Sequence, residues 1–276
     1  MPNLVAEPEE QQEERQLGSM SLLQHLEELR KRIVYSLAAV AVGFGLGIFK
    51  WEAIYHLMQK PIAQALAAHN LPTDLNFLNP TDPFNMELKI ALIAGIFIAA
   101  PFLLYQVWMF ISPGLYRNEK KFILPFLFIS VGLFLAGGFF GYRVVFPVAL
   151  DFLIGTGTNA GLRPVITITE YTNLFLTIIL GLSFIFELPI IIGFAAAMGV
   201  VNAKFLFVHI RGAVLIIVII AAILSPTTDM MNLTIYASPM ILLYIGSIGI
   251  AWVVHPRQRR KRREKRERDE RQGPIN

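Results

Sequence analysis

The sequence predicts an all-α polytopic membrane protein: six transmembrane helices, N and C termini cytoplasmic, and a short fifth helix. Three observations predict it. Apolar residues make up 55% of the 276 residues and charged residues only 16%, with a mean hydropathy of +0.55. Soluble domains carry about 25% charged residues, so this chain lacks the material for a charged surface. The apolar residues fall into continuous runs of spanning length, which argues against the alternating pattern of a β-barrel. The charges collect at the ends. Residues 1–20 hold five Glu and one Arg, and residues 255–276 hold ten Lys/Arg and four Asp/Glu, behind a net charge of only +4. The absence of Cys removes disulfides, thiol nucleophiles, Fe–S clusters and Cys-type zinc sites.

Three regions follow: an acidic N-terminal tail over 1–20, a membrane domain over 21–254 and a basic C-terminal tail over 255–276. The N-terminal tail is negative and contains no cleavable apolar run, unlike a secretory signal. Residues 21–32 then read as an amphipathic helix start at the inner interface, with Leu22, Leu26 and Leu29 on one face. Glu27–Lys31 and Glu28–Arg32 fall at the i,i+4 spacing of helical ion pairs. A bilayer core of ~30 Å needs about 20 apolar residues in a helix. The windows 33–49, 90–111, 122–142, 171–198 and 235–254 approach or exceed that length. Residues 212–224 form a sixth, shorter window, closed by Ser225-Pro226. Its 13 residues reach only about 20 Å at ~1.5 Å per residue.

Orientation follows from the loops. With both termini inside, 19 of the 24 Lys and Arg lie on the cytoplasmic side and five outside, as the positive-inside rule requires. On the outer side, residues 52–68 space Ile54, Tyr55, Leu57, Met58, Ile62 and Leu66 as one amphipathic helix or two short ones, with Pro61 in their midst. Residues 71–83, with three Pro, two Asp and two Asn, read as loop. Residues 143–169 read as short helix and loop. Trp108, Phe110 and Tyr116 suit an interfacial aromatic belt.

Chemistry can reside only in a few carboxylates. Glu27 and Glu28 sit among Arg30, Lys31 and Arg32, and Glu119 is the one acid in the next inner loop. They read either as self-paired surface residues or as an acidic spot in a basic rim, open to a cationic ligand. Glu187 lies about 11 residues from the nearer end of its apolar window. An ionisable group at that depth is costly and functional by default. Two residues on, Pro189 cannot donate to the Ile185 carbonyl, which adds polarity nearby. Asp229, after Ser225-Pro226, is placed to cap the last helix. The basic tail lacks the interleaved aromatics of a nucleic-acid platform, and no nucleic-acid partner is expected. No phosphate-binding loop, dinucleotide fingerprint or zinc spacing occurs, so no enzyme, cofactor or metal is expected.

The motif His25-Leu-Glu-Glu28-Leu-Arg30-Lys-Arg32 is followed by Pro101-Phe-Leu-Leu-Tyr105-Gln106-Val-Trp108-Met-Phe110-Ile-Ser-Pro113-Gly-Leu115-Tyr116-Arg-Asn-Glu119. Together with Tyr142-Arg-Val-Val-Phe146-Pro147, Phe186-Glu187-Leu-Pro189 and Ser225-Pro226, the sequence resembles the TatC family over about residues 20–254. This family is the receptor core of the twin-arginine translocase. The resemblance implies recognition of Arg-Arg signal peptides and transport of folded proteins with TatA-type and TatB-type single-span partners. The proton-motive force drives that transport, and the family self-associates in its receptor complex. It implies signal-peptide contacts at Glu28 and Glu119, with Arg30, Phe110 and Leu115 shaping that site. It also implies a structural outer-loop Pro83, and a partner-helix polar site of Glu187, Ser225 and Asp229. Leu233 stands near the Gln usual in that outer turn. The rival reading is a proton-coupled small-solute transporter using Glu187, against which stands the lack of an internal repeat.

Overall fold

The computed structural model describes residues 22–112, 123–225 and 230–271. Among them are ten α-helices: α1 (Leu22–Phe49), α2 (Trp51–Ala68), α3 (Asp82–Ile111), α4 (Ile123–Phe140), α5 (Phe146–Asn159), α6 (Ile168–Ile185), α7 (Leu188–Ala197), α8 (Ala203–Val208), α9 (Ile210–Leu224) and α10 (Met230–Arg271). A π-helical turn, Gly141–Val145, joins α4 to α5. Five helical stretches are long and apolar enough to cross a membrane, and a sixth, Ile210–Ile223, is apolar but shorter. The six-helix reading with its short fifth span therefore stands. At ~1.5 Å per residue the 15 residues of α9 reach about 22 Å, well under the bilayer core.

Three features refine the sequence reading. The window 171–198 is one spanning stretch, Ile168–Ala197, but not one continuous helix. It breaks into α6 and α7 at Phe186 and Glu187, because Pro189 has no N–H to continue the ladder and instead occupies the first turn of a new helix. The region 143–169 is more helical than its glycines suggested. Through the π-turn and α5, the third span continues to Asn159, so Ile123–Asn159 is one 37-residue stretch. Finally, α10 runs without interruption from the last span to Arg271.

On that extended α5 sits a cap, α2. It turns Met58, Pro61, Ile62, Ala65 and Leu66 inward and packs them on α5. The Tyr142 hydroxyl donates to the Leu57 carbonyl at 2.8 Å, and the buried Tyr171 hydroxyl donates to that of Met58. Asn76 and Thr167 form a parallel β-bridge between the loop before α3 and the loop before α6. The main core lies beneath this cap, around Ile90, Phe146, Ile178, Leu182, Tyr236 and Met240. Tyr171→Phe removes this hydrogen bond, which costs about 0.5–1.5 kcal/mol. Thermal unfolding in detergent should show a lowered midpoint.

A second cluster sits toward the end of α3. Trp108 packs edge-on to Phe194 with centroids 4.7 Å apart and stacks on Phe126 at 5.6 Å. Trp108 is 4% exposed, so it belongs to the core and not to an aromatic belt.

α1 stands apart. It packs along α3 and makes no other substantial contact with the described elements. The contact is backbone on backbone. A Cβ on Gly43 would lie 2.5 Å from the Gly95 carbonyl oxygen, and one on Gly47 2.6 Å from that of Ala91. This is the small-residue stripe that lets helices approach closely in lipid. The outward side chains Leu37, Val42 and Leu46 are exposed, as suits a helix facing hydrocarbon.

Candidate functional site

The close approach of α1 to α3 builds a polar cluster near the start of α1 and the end of α3. Arg32 donates through Nη2 to Glu28 Oε1 at 3.0 Å and through Nη1 to Gln106 Oε1 at 3.0 Å. One guanidinium thus clamps a carboxylate of its own helix to the amide of the neighbouring one. The Glu28 side chain is 16% exposed. Its Oε2 is buried without a protein partner, as is Arg32 Nε. His25 stacks on Phe110 with centroids 4.5 Å apart, one turn from Glu28. Arg30 points to the surface. Lys31 does not pair with Glu27; it lies 5.9 Å from the centre of the Tyr35 ring.

Glu28, Arg30 and Phe110 therefore share one end of the α1–α3 pair. Leu115 and Glu119 lie outside the described residues, in the 113–122 segment that follows α3 directly. Neither Arg32 nor Gln106 is among the sequence-predicted site residues. The i,i+4 spacing signalled the Glu28–Arg32 half of the clamp, but nothing in the sequence signals the 74-residue reach to Gln106.

The second polar site is Glu187 in the break between α6 and α7. It is 7% exposed. The Ser130 hydroxyl of α4 donates to its Oε2, while Oε1 has no partner. A partly wetted groove was expected here. The carboxyl is instead covered by the chain itself, because α4 closes over the break and supplies Ser130. Ser225 ends α9, its N–H bonded to the Ala221 carbonyl at 2.8 Å, and Asp229 lies outside the described residues.

Pro83 is placed in the first turn of α3 and not in a loop. Asp82 beside it accepts from the N–H groups of Leu78 and Asn79 at 3.1 and 3.0 Å, pinning the preceding loop to the helix start. Asp82→Ala frees two backbone donors and should raise proteolysis of the 71–81 loop. Among the described residues no group of His, Asp and Glu is arranged to hold a metal.

Residues 24–239 match the family model described as TatC, Sec-independent protein translocase protein. The chain belongs to the TatC family. A TatC from Koribacter versatilis is 56% identical over 244 residues, covering 88% of this chain and 89% of that protein. TatCy of Bacillus subtilis is 33% identical over 245 residues, covering 88% and 93%. A crystal structure titled twin arginine translocase receptor TatC superposes with a TM-score of 0.72 at 33% identity, covering 82% of this chain and 97% of that one. A second, of the receptor in DDM, gives 0.73 at 32% identity, covering 82% and 99%. A TatC-family chain is a multi-pass protein of the cytoplasmic membrane and a protein translocase component, not a member of an enzyme family.

Proposed function

We propose that this chain is the signal-peptide receptor subunit of a twin-arginine translocase. In this reading both termini face the cytoplasm, and Glu28 and Glu119 receive the consecutive Arg pair of a folded cargo's signal peptide. The observation that carries it is the Glu28 carboxylate, held in place by Arg32 and Gln106 with Oε2 left unpaired. The chain leading to Glu119 starts from the same end of α3. Arg32 fixes the carboxylate geometry and leaves one oxygen for a second guanidinium. A guanidinium can donate two parallel bonds to a carboxylate, a fork that an ammonium cannot reproduce. Phe110, Leu115 and the His25 ring supply apolar surface around the pair, and Arg30 contributes a positive rim that repels generic basic peptides.

TatA-type and TatB-type single-span proteins are the proposed partners, and the proton-motive force the proposed driving energy. Self-association assembles the receptor complex. Glu187, with Ser225 and Asp229, is the proposed polar site for a partner helix. Ser130 of α4 covers the Glu187 carboxyl, so a partner helix reaches that site by displacing α4.

The test is binding of paired peptides to the full chain in lipid nanodiscs. A signal peptide with Arg-Arg should bind at least about tenfold more tightly than the same peptide with Lys-Lys, since each charge-assisted bond contributes about 1.5–3 kcal/mol. Equal affinity for the two peptides would overturn the proposal.

A further inference from the structure

The continuous α10 gives the basic tail a geometry. Its apolar span ends at Trp252 and the helix continues to Arg271, about 28 Å further at ~1.5 Å per residue. The positive charge is not spread along that length. Residues 257–263 hold six cations and no acid, whereas 264–271 hold four of each sign. The whole net charge of the tail is therefore a collar, set about 8–17 Å beyond Trp252. Bilayer headgroups occupy only about 5–8 Å on each side of the hydrocarbon, so most of this collar stands beyond them.

Within the helix the collar is neutralised only in part: Arg260 and Arg263 have Glu264 and Glu267 four residues on. Arg257, Arg259, Lys261 and Arg262 each have another cation four residues on, at 261, 263, 265 and 266. Like charges at that spacing repel. The collar needs an outside anion, and the chain carries one. Residues 1–20 are net −4, with Glu7, Glu9, Glu10, Glu13 and Glu14 close together. Six crossings separate the two tails, so they lie on the same side whichever way the bundle faces. Glu14 is eight residues before Leu22 and Glu7 fifteen, a reach of about 26–50 Å at ~3.3 Å per residue. A face of six helices at 8–10 Å spacing is about 30 Å across.

We propose that the acidic segment 7–14 docks on the 257–263 collar of its own chain. The tether sets an effective concentration in the millimolar range, which suffices for a weak, multivalent electrostatic contact. The docked segment occupies the collar against anionic headgroups and links the start of α1, where Glu28 stands, to the end of α10.

The absence of Cys makes the test clean. Gln12→Cys and Gln258→Cys place one thiol in each segment without removing a charge. In membrane vesicles of neutral phospholipid, oxidation should give a disulfide at monomer mobility. It should form about tenfold more slowly when the five Glu are changed to Gln, and also more slowly in 1 M salt. The same rate should hold in vesicles containing anionic phospholipid. An unchanged rate in the Gln variant would overturn the proposal, since the tether alone would explain the bond. A disulfide found only at dimer mobility would show that a second copy is the occupant. Loss of the bond in anionic vesicles would assign the collar to lipid.

Discussion

Gly43→Leu is expected to detach α1 from α3 and to abolish peptide binding without touching a charged residue. The added side chain meets the Gly95 carbonyl oxygen, which its Cβ alone would approach to 2.5 Å. Overpacking a well-fitted contact costs about 1–3 kcal/mol when side chains can yield. Here the obstacle is backbone, and α1 has no other substantial contact to hold it. As the helices part, the 3.0 Å bond from Arg32 to Gln106 is lost, and Glu28 loses its fixed position. Gly45→Leu is the control. It lies on the same helix two residues on, yet its Cβ would meet nothing within 4 Å. Its effect should stay within about 0.5 kcal/mol, as for an ordinary surface substitution. Thermal unfolding and peptide affinity measured on both variants would separate packing from mere bulk. Equal behaviour of the two would refute a close-packed α1–α3 contact.

Glu187 gives the second large effect, and its sign distinguishes two roles. If the carboxyl is structural, Glu187→Ala should destabilise, because Ser130 loses its acceptor. Oε1, however, is already buried and unpaired, so removing the group also removes an unsatisfied acceptor. We therefore expect Glu187→Ala to unfold within about 1 kcal/mol of the parent, given that such a buried unpaired group itself costs about 1–3 kcal/mol. Crosslinking to single-span partners should nevertheless be lost. Glu187→Lys should fail on both counts. A cation at that depth costs roughly 2.5–3.5 kcal/mol on insertion scales, and an ammonium cannot accept from Ser130. A large loss of stability in Glu187→Ala with partner crosslinking intact would reverse the assignment.

The fold was legible where it depends on hydropathy. Runs of apolar residues gave the spans, and the 13 residues between Gly212 and Leu224 already announced a short fifth helix. What escaped was set by tertiary packing. Residues 143–159 carry glycines that weaken a helix in isolation, yet α5 is held by α2 and by Phe146 at the centre of the core. Pro189 signalled irregularity, but not that Ser130 of α4 would meet Glu187 at the break. Trp108 looked interfacial by its position near a helix end, and only the meeting of α3 with Phe126 and Phe194 buries it. For the candidate site, the charge pattern named Glu28. The Gly43-x-x-x-Gly47 spacing was the available clue to the helix contact that sets its geometry. Gln106 carried no signal at all.

The account turns on Glu28 and Glu119 jointly receiving an arginine pair. The most direct measurement is photocrosslinking from an Arg-Arg signal peptide to the full chain in membranes, with Glu28→Arg and Glu119→Arg introduced singly and together. The account predicts reduced crosslinking in each single variant. It predicts none above the Lys-Lys background in the double variant, with the chain still inserted and folded. Undiminished crosslinking in the folded double variant would contradict it.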